Sequence, residues 1–184
     1  MSTDIKGFYD FTEEELRGGI TSGTYHLKVV DAEADHWDDG RPRLNIRTEV
    51  ATGSNAGAYG PRHTWSLGSY TGVTGDGRDF SISEEDNQKT LIKNVRLVMD
   101  GKSPHVTNPT SWDSVLLDEI AQQMVGENFI GTIADGKNGY QKISKFYAMS
   151  SPPSGFKVKS TEATSFSVKT ASLTNKERAE RPAL

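Results

Sequence analysis

Trp37, Arg41, Arg43, Asn45, Arg47, Arg62, Trp65, Lys137, Tyr140, Lys142 and Lys145 are the residues whose types and spacing suit recognition chemistry. Guanidinium and ammonium groups pair with phosphate oxygens, and aromatic faces stack on flat bases. Cations interleaved with aromatics therefore suit a single-stranded nucleic acid. Each residue also has a plainer use. Trp65 alternates with His63 and Leu67 and suits a core as well as a stacking platform. Arg43 and Arg47 alternate with apolar residues, as a solvated strand face would. Trp37 lies in a polar turn beside Asp38, Asp39 and Gly40, where core burial is less natural, so it is the stronger stacking candidate.

Other chemistries fit poorly. Asp35, Trp37, Asp39 and Gly40 resemble the start of a calcium loop, but its twelfth position is Ile46, where a bidentate Glu is needed. His26, His36, His63 and His105 show no two-ligand helical spacing, so no metal is expected. The chain has no phosphate-binding Gly-Lys loop, no nucleophile elbow and no His-Glu-x-x-His. Glu84-Glu85-Asp86 reads as the first turn of a helix. No enzymatic activity and no cofactor are expected.

The elements that must carry these residues follow from periodicity. Gly23 to Val50 alternates apolar and polar on both sides of Asp38-Asp39-Gly40, which predicts a long hairpin. Tyr25, Leu27, Val29, Leu44, Ile46 and Val50 share its apolar face, and Arg43, Asn45, Arg47 and Glu49 the other. Pro61 to Leu67 alternates again and predicts a third strand, with Arg62 on its polar side. Residues 68–82 read as a glycine-rich loop. Ser81 or Ser83 caps a helix with Leu91, Val95 and Val98 as its stripe, joined by Ile92 and Met99 and stopped by Gly101. A second helix is expected from near Ser111, burying Trp112, Val115, Leu116, Ile120 and Met124 and ending at Gly126. Strands 128–134 and 140–149 flank Asp135-Gly136-Lys137-Asn138-Gly139, a hairpin signal.

The bulk properties set the frame. The chain has 184 residues, no cysteine, 18 glycines and 7 prolines, which suits one turn-rich β domain with tails. Residues 1–22 are expected to form an N-terminal arm, 23–150 the domain with a helical insert at about 81–126, and 151–184 a basic, largely disordered tail. Net charge is −4, but residues 71–136 are strongly acidic and 137–184 basic, so an anionic ligand can meet one face. The polar N-terminus and the lack of a long apolar run point to no membrane and to a cytoplasmic protein. Exposed strands allow a homo-oligomer, although no heptad specifies one.

The order β-β-β-α-β-β is that of the OB-fold, a five-stranded Greek-key barrel, here with two helices between strands three and four. Another small β-barrel or an α+β sheet shares the same strand count. Gly23, Tyr25, Val29, Ala32-Glu33, Gly40-Arg41, Leu44 to Val50 and Gly53 to Gly57 carry a further signal. Over roughly residues 20–67 the chain resembles phage-encoded single-stranded DNA-binding proteins with an OB-fold. The resemblance implies single-stranded DNA binding in phage replication or recombination, in the infected host's cytoplasm, with phage or host replication proteins as partners. Two features depart from that pattern. The insert after strand three is long. The chain also ends Glu-Arg-Pro-Ala-Leu instead of an acidic, Phe-terminated tip, so recruitment by such a tip is not expected. The alternative is a β-barrel interaction or virion-associated structural protein that uses its acidic helical insert.

Overall fold

The computed structural model describes residues 20–136 and 139–157. The expectations for the N-terminal arm, for Lys137 and for the tail beyond 157 lie outside these residues. The described chain runs β1 (Gly23–His36), β2 (Pro42–Val50), β3 (His63–Ser66), β4 (Tyr70–Val73), β5 (Asp79–Ile82), α1 (Glu84–Val98), α2 (Ser114–Met124), β6 (Asn128–Asp135) and β7 (Gln141–Tyr147). Five strands form one antiparallel sheet in the order β3-β2-β1-β6-β7. Strand β6 returns after a long connection to lie beside β1, which is the Greek-key arrangement. The expectation of a mainly β chain with two helices between its third and later sheet strands is met. A closed barrel is not: β3 and β7 are the sheet's edges and share no ladder.

Strand β1 runs 14 residues because its alternation resumes after one change of phase, with Tyr25, Leu27 and Val29 facing the core before Val30 and Ala32 and Ala34 after it. One extra residue, Val30, interrupts its register with β2 between Val29 and Asp31, and Ser144 does the same on β7. Such bulges add local twist and curl a sheet. The curl brings the edges close without pairing them. The ring of Phe146 on β7 lies 4.9 Å from His63 and 5.5 Å from Trp65 on β3, and it stacks on Phe129 at 5.4 Å. Leu27, Val29, Leu44, Ile46, Phe129 and Ile133 fill the concave side.

Helix α1 is capped by Ser83, whose hydroxyl accepts from the Asp86 amide at 3.1 Å. Leu91, Val95 and Val98 recur at helical spacing and are buried against the sheet. Helix α2 starts later than Ser111. Asp113 caps it by accepting from the Leu116 amide at 3.0 Å, so Trp112 precedes the helix. The expected Leu116, Ile120 and Met124 face inward, and at 100° per residue their stripe takes in Leu117 and leaves Val115 outward, 65% exposed. The stretch 68–82 is also more ordered than a loop. Strands β4 and β5 pair across Thr74–Arg78, with Gly77 at φ 83° supplying the left-handed residue. No helix among the described residues is long and apolar enough to cross a membrane.

Gly131 marks a tight point of the apolar core. A Cβ there would stand 2.6 Å from Leu27 Cδ1 and 3.2 Å from Phe129 Cε2. Both neighbours are fully buried, so neither has room to move. Gly131→Val is expected to cost about 1–3 kcal/mol through overpacking, read as a lower urea midpoint at unchanged slope.

Candidate nucleic-acid interface

The convex face of β1, β2 and β3 carries the polar half of each alternation. The ladder sets Asp35 opposite Arg43, Glu33 opposite Asn45 and Asp31 opposite Arg47; β3 adds Ser66 beside Arg43 and Thr64 beside Asn45. Trp37 folds back from the β1–β2 turn onto this face. Its indole Nε1 donates to Ser66 Oγ at 2.8 Å, and the Arg43 guanidinium lies 4.3 Å over its ring. The turn that holds it is closed by Gly40 N to Trp37 O at 2.8 Å, with Gly40 at φ 83°. Trp37 keeps 38% of its surface exposed. Expected from its polar surroundings to stay out of the core, it does so.

Arg41 leaves the same turn on the other side. It ion-pairs with Asp39 at 2.7 Å, donates to the Ser69 carbonyl at 3.1 Å, and lies 5.9 Å from the centre of the Tyr70 ring. Its aliphatic stem crosses Gly68 so closely that a Cβ at Gly68 would overlap Arg41 Cδ. Exposed Tyr70 thus joins Trp37 near the tip. Tyr70 was not among the expected site residues. Its signal was the alternation Tyr70-Thr71-Gly72-Val73 ahead of Asp76-Gly77, masked by the surrounding glycines.

Every arginine on this face holds a carboxylate. Arg43 pairs with Asp35 at 2.5 Å, Arg62 with Glu33 at 2.5 Å, and Arg47 with Asp31 at 3.9 Å. Lys28 stands 3.9 Å from Glu49. The Arg43 hydrogen bond, helped by the His36 amide, holds the Asp35 carboxyl below its usual range. The Arg41 amide, with the Arg41 side chain, does the same for Asp39. The face is therefore charge-balanced, which corrects the expectation of a basic groove. The acids were legible as the period-2 row Asp31, Glu33, Asp35 on β1.

Two expected site residues are corrected. Trp65 points to the concave side, is 5% exposed and packs against His63 and Phe146. It is a core residue, because its ladder partner is inward-facing Leu44. Asn45 does lie on the convex face but is only 3% exposed, accepting from Thr64 Oγ1 at 2.7 Å. Its Nδ2 has no partner. Tyr140, Lys142 and Lys145 are exposed on the β6–β7 hairpin. Asp135 ends β6 near Gly23, whereas Trp37 follows the other end of β1. The register thus sets the two turns at opposite ends of β1, and the far cations do not join the Trp37 cluster. Among the described residues no group of three His, Asp or Glu side chains could hold a metal ion.

A scan against protein-family models finds no match to this chain, and a search of curated proteins finds none either.

Proposed function

We propose that the chain is a non-catalytic single-stranded DNA-binding protein, with Trp37 and the arginines of β1–β3 as its contact face. The observation that carries this reading is the exposed Trp37 indole, fixed at its edge by Ser66 and backed by Arg43. An aromatic platform held in one orientation loses little entropy when a base stacks on it, and stacking is worth ~1–3 kcal/mol per base. The strand order supports the reading as well. It is the order of an OB-fold barrel opened between its third and last strands, and such folds bind oligonucleotides on the strand 2–3 face beside the first hairpin loop. The setting is the one the family resemblance implies, phage replication or recombination.

The ion pairs shape the expected behaviour. A phosphate must displace a carboxylate from each arginine it meets, so stacking supplies more of the affinity than cation release does. Titration of oligo-dT, single- against double-stranded, at two salt concentrations should quench tryptophan fluorescence with the single strand only. Trp37→Ala is expected to weaken single-strand binding by ~1–3 kcal/mol. Asp35→Asn, which frees Arg43, is expected to strengthen binding and steepen its salt dependence. Absence of single-strand binding by the native chain at low salt would refute the reading.

A further inference from the structure

Of the described arginines, Arg41, Arg43, Arg47, Arg62 and Arg78 each hold a carboxylate. Arg96 holds none, and neither does Lys93 beside it on α1. Lys89, Ile92, Lys93 and Arg96 recur at helical spacing and form one stripe of α1, away from its buried stripe of Leu91, Val95 and Val98. The stripe borders a groove of about 540 Å³ whose apolar lining is Ile92, Leu97 and Trp112. Under Arg96 and Trp112 the groove continues into a hollow of about 170 Å³ walled by Pro104, Val106 and Leu116. Lys89 stands on the same rim, tied to Glu85 at 2.7 Å. An apolar cleft with unpaired cations on its lip sits on a segment whose overall charge is acidic.

We propose that this groove receives an acidic segment of a partner protein that carries a bulky apolar side chain. The apolar side chain fills the hollow between Ile92 and Trp112, and flanking carboxylates pair with Arg96 and Lys93. Charge complementarity selects this occupant, since among the described residues the two cations have no carboxylate partner to give up. The planar guanidinium of Arg96 accepts a carboxylate in a two-point contact. Arg and Trp around an apolar centre is the composition of interface anchors. A nucleic acid fits less well, because apart from Arg96, Ser103 and Trp112 the hollow is walled by aliphatic and proline surface, which suits an apolar side chain better than a sugar or phosphate. Trp112 also borders the notch formed by Arg41 and Pro42. The partner would therefore sit beside the Trp37 tip without covering it.

The test uses the full chain and a labelled amphipathic peptide of about twelve residues, with Leu or Phe at i, i+3, i+4 and i+7 and Glu elsewhere. Its control replaces every Glu by Lys. The acidic peptide should bind, more weakly at high salt, and the Lys peptide should not. Lys93→Glu with Arg96→Glu should reduce affinity at least about tenfold while the thermal melt stays unchanged, because both side chains are exposed. Lys93→Gln with Arg96→Gln gives the same reading at smaller charge change. The proposal is overturned if the native chain does not bind the acidic peptide, or if the charge variants bind it unchanged. It is equally overturned if those variants lose oligo-dT binding and keep the peptide, which would make the groove a nucleic-acid surface.

Discussion

Replacing Phe146 by alanine should destabilise the protein by about 3–5 kcal/mol. Phe146 is 8% exposed and is the ring at which both sheet edges meet. It touches His63 and Trp65 from β3 and stacks on Phe129 from β6. Aromatic pairs of this kind add ~0.5–1.5 kcal/mol beyond the area they bury. Strand β3 has only four residues and one ladder neighbour, β2. Side-chain packing on Phe146 is therefore a main restraint on its open side. The loss should appear in two ways. The denaturation midpoint should fall, and the β3 amides should exchange faster with solvent than those of β1. Phe146→Leu keeps most of the volume and should cost less than half as much. A Phe146→Ala cost below about 1 kcal/mol, with β3 exchange unchanged, would show that the ring cluster does not hold the edges together. The consequence reaches the candidate interface, since Ser66 on β3 holds the Trp37 indole. A loosened β3 should lower the gain from stacking even at temperatures where the protein stays folded.

The features legible in the sequence are those set by local periodicity and capping. The hairpin from Gly23 to Val50 stands as two strands with the expected inward set, and α1 starts at Ser83 with its expected stripe. Local pattern fails where a residue's role is set by its neighbour across the sheet. The alternation of His63, Trp65 and Leu67 shows that they share a face, but only the pairing of Trp65 with Leu44 shows that the face is the inner one. Arg43 and Arg47 looked like free cations because the carboxylates that hold them lie 8 and 16 residues earlier in the chain, on the antiparallel neighbour. Asp113 outcompeted Ser111 as a cap and moved the start of α2 by most of a turn, and the stripe set by Leu116, Ile120 and Met124 takes in Leu117 and leaves out Val115. Strands of four residues with glycine inside, such as Tyr70–Val73, fall below what alternation can detect.

The charge balance of the convex face changes what kind of binder it can be. A groove of unpaired cations attracts any polyanion, duplex or single strand, through counterion release. On the proposed reading, paired arginines would suppress that non-specific term and leave discrimination to Trp37 and Tyr70, which need unstacked bases. A preference for single strands would then come from the aromatics, and the ion pairs would limit competition from duplex. Cations outside this balance are placed elsewhere, on the α1 groove and on β7.

His63 makes stability fall as pH drops from about 6.5 to about 4. Its ring is wedged between Trp65 at 4.6 Å and Phe146 at 4.9 Å, and burial lowers its pKa from 6.5 to about 4. The folded state therefore keeps the imidazole neutral at pH values where the unfolded chain already binds a proton. Above pH 6.5 neither state is protonated and His63 costs nothing. Between 6.5 and 4 the unfolded state takes up the proton first, and stability declines with each unit of acidification. Below about 4 both states carry the charge and the loss levels off, at about 3 kcal/mol at most. The lowered carboxylates, Asp35, Asp39, Asp100, Asp113 and Glu119, titrate beneath their ordinary values of 3.8 and 4.5, so their effect falls mainly below this window. His63→Phe keeps an aromatic ring in the cluster and removes the proton site. Denaturation at pH 7 and at pH 4.5 should show a drop in the native chain that the variant largely lacks. Equal drops in both would mean that the acid sensitivity comes from other groups, and that His63 meets water in the folded state.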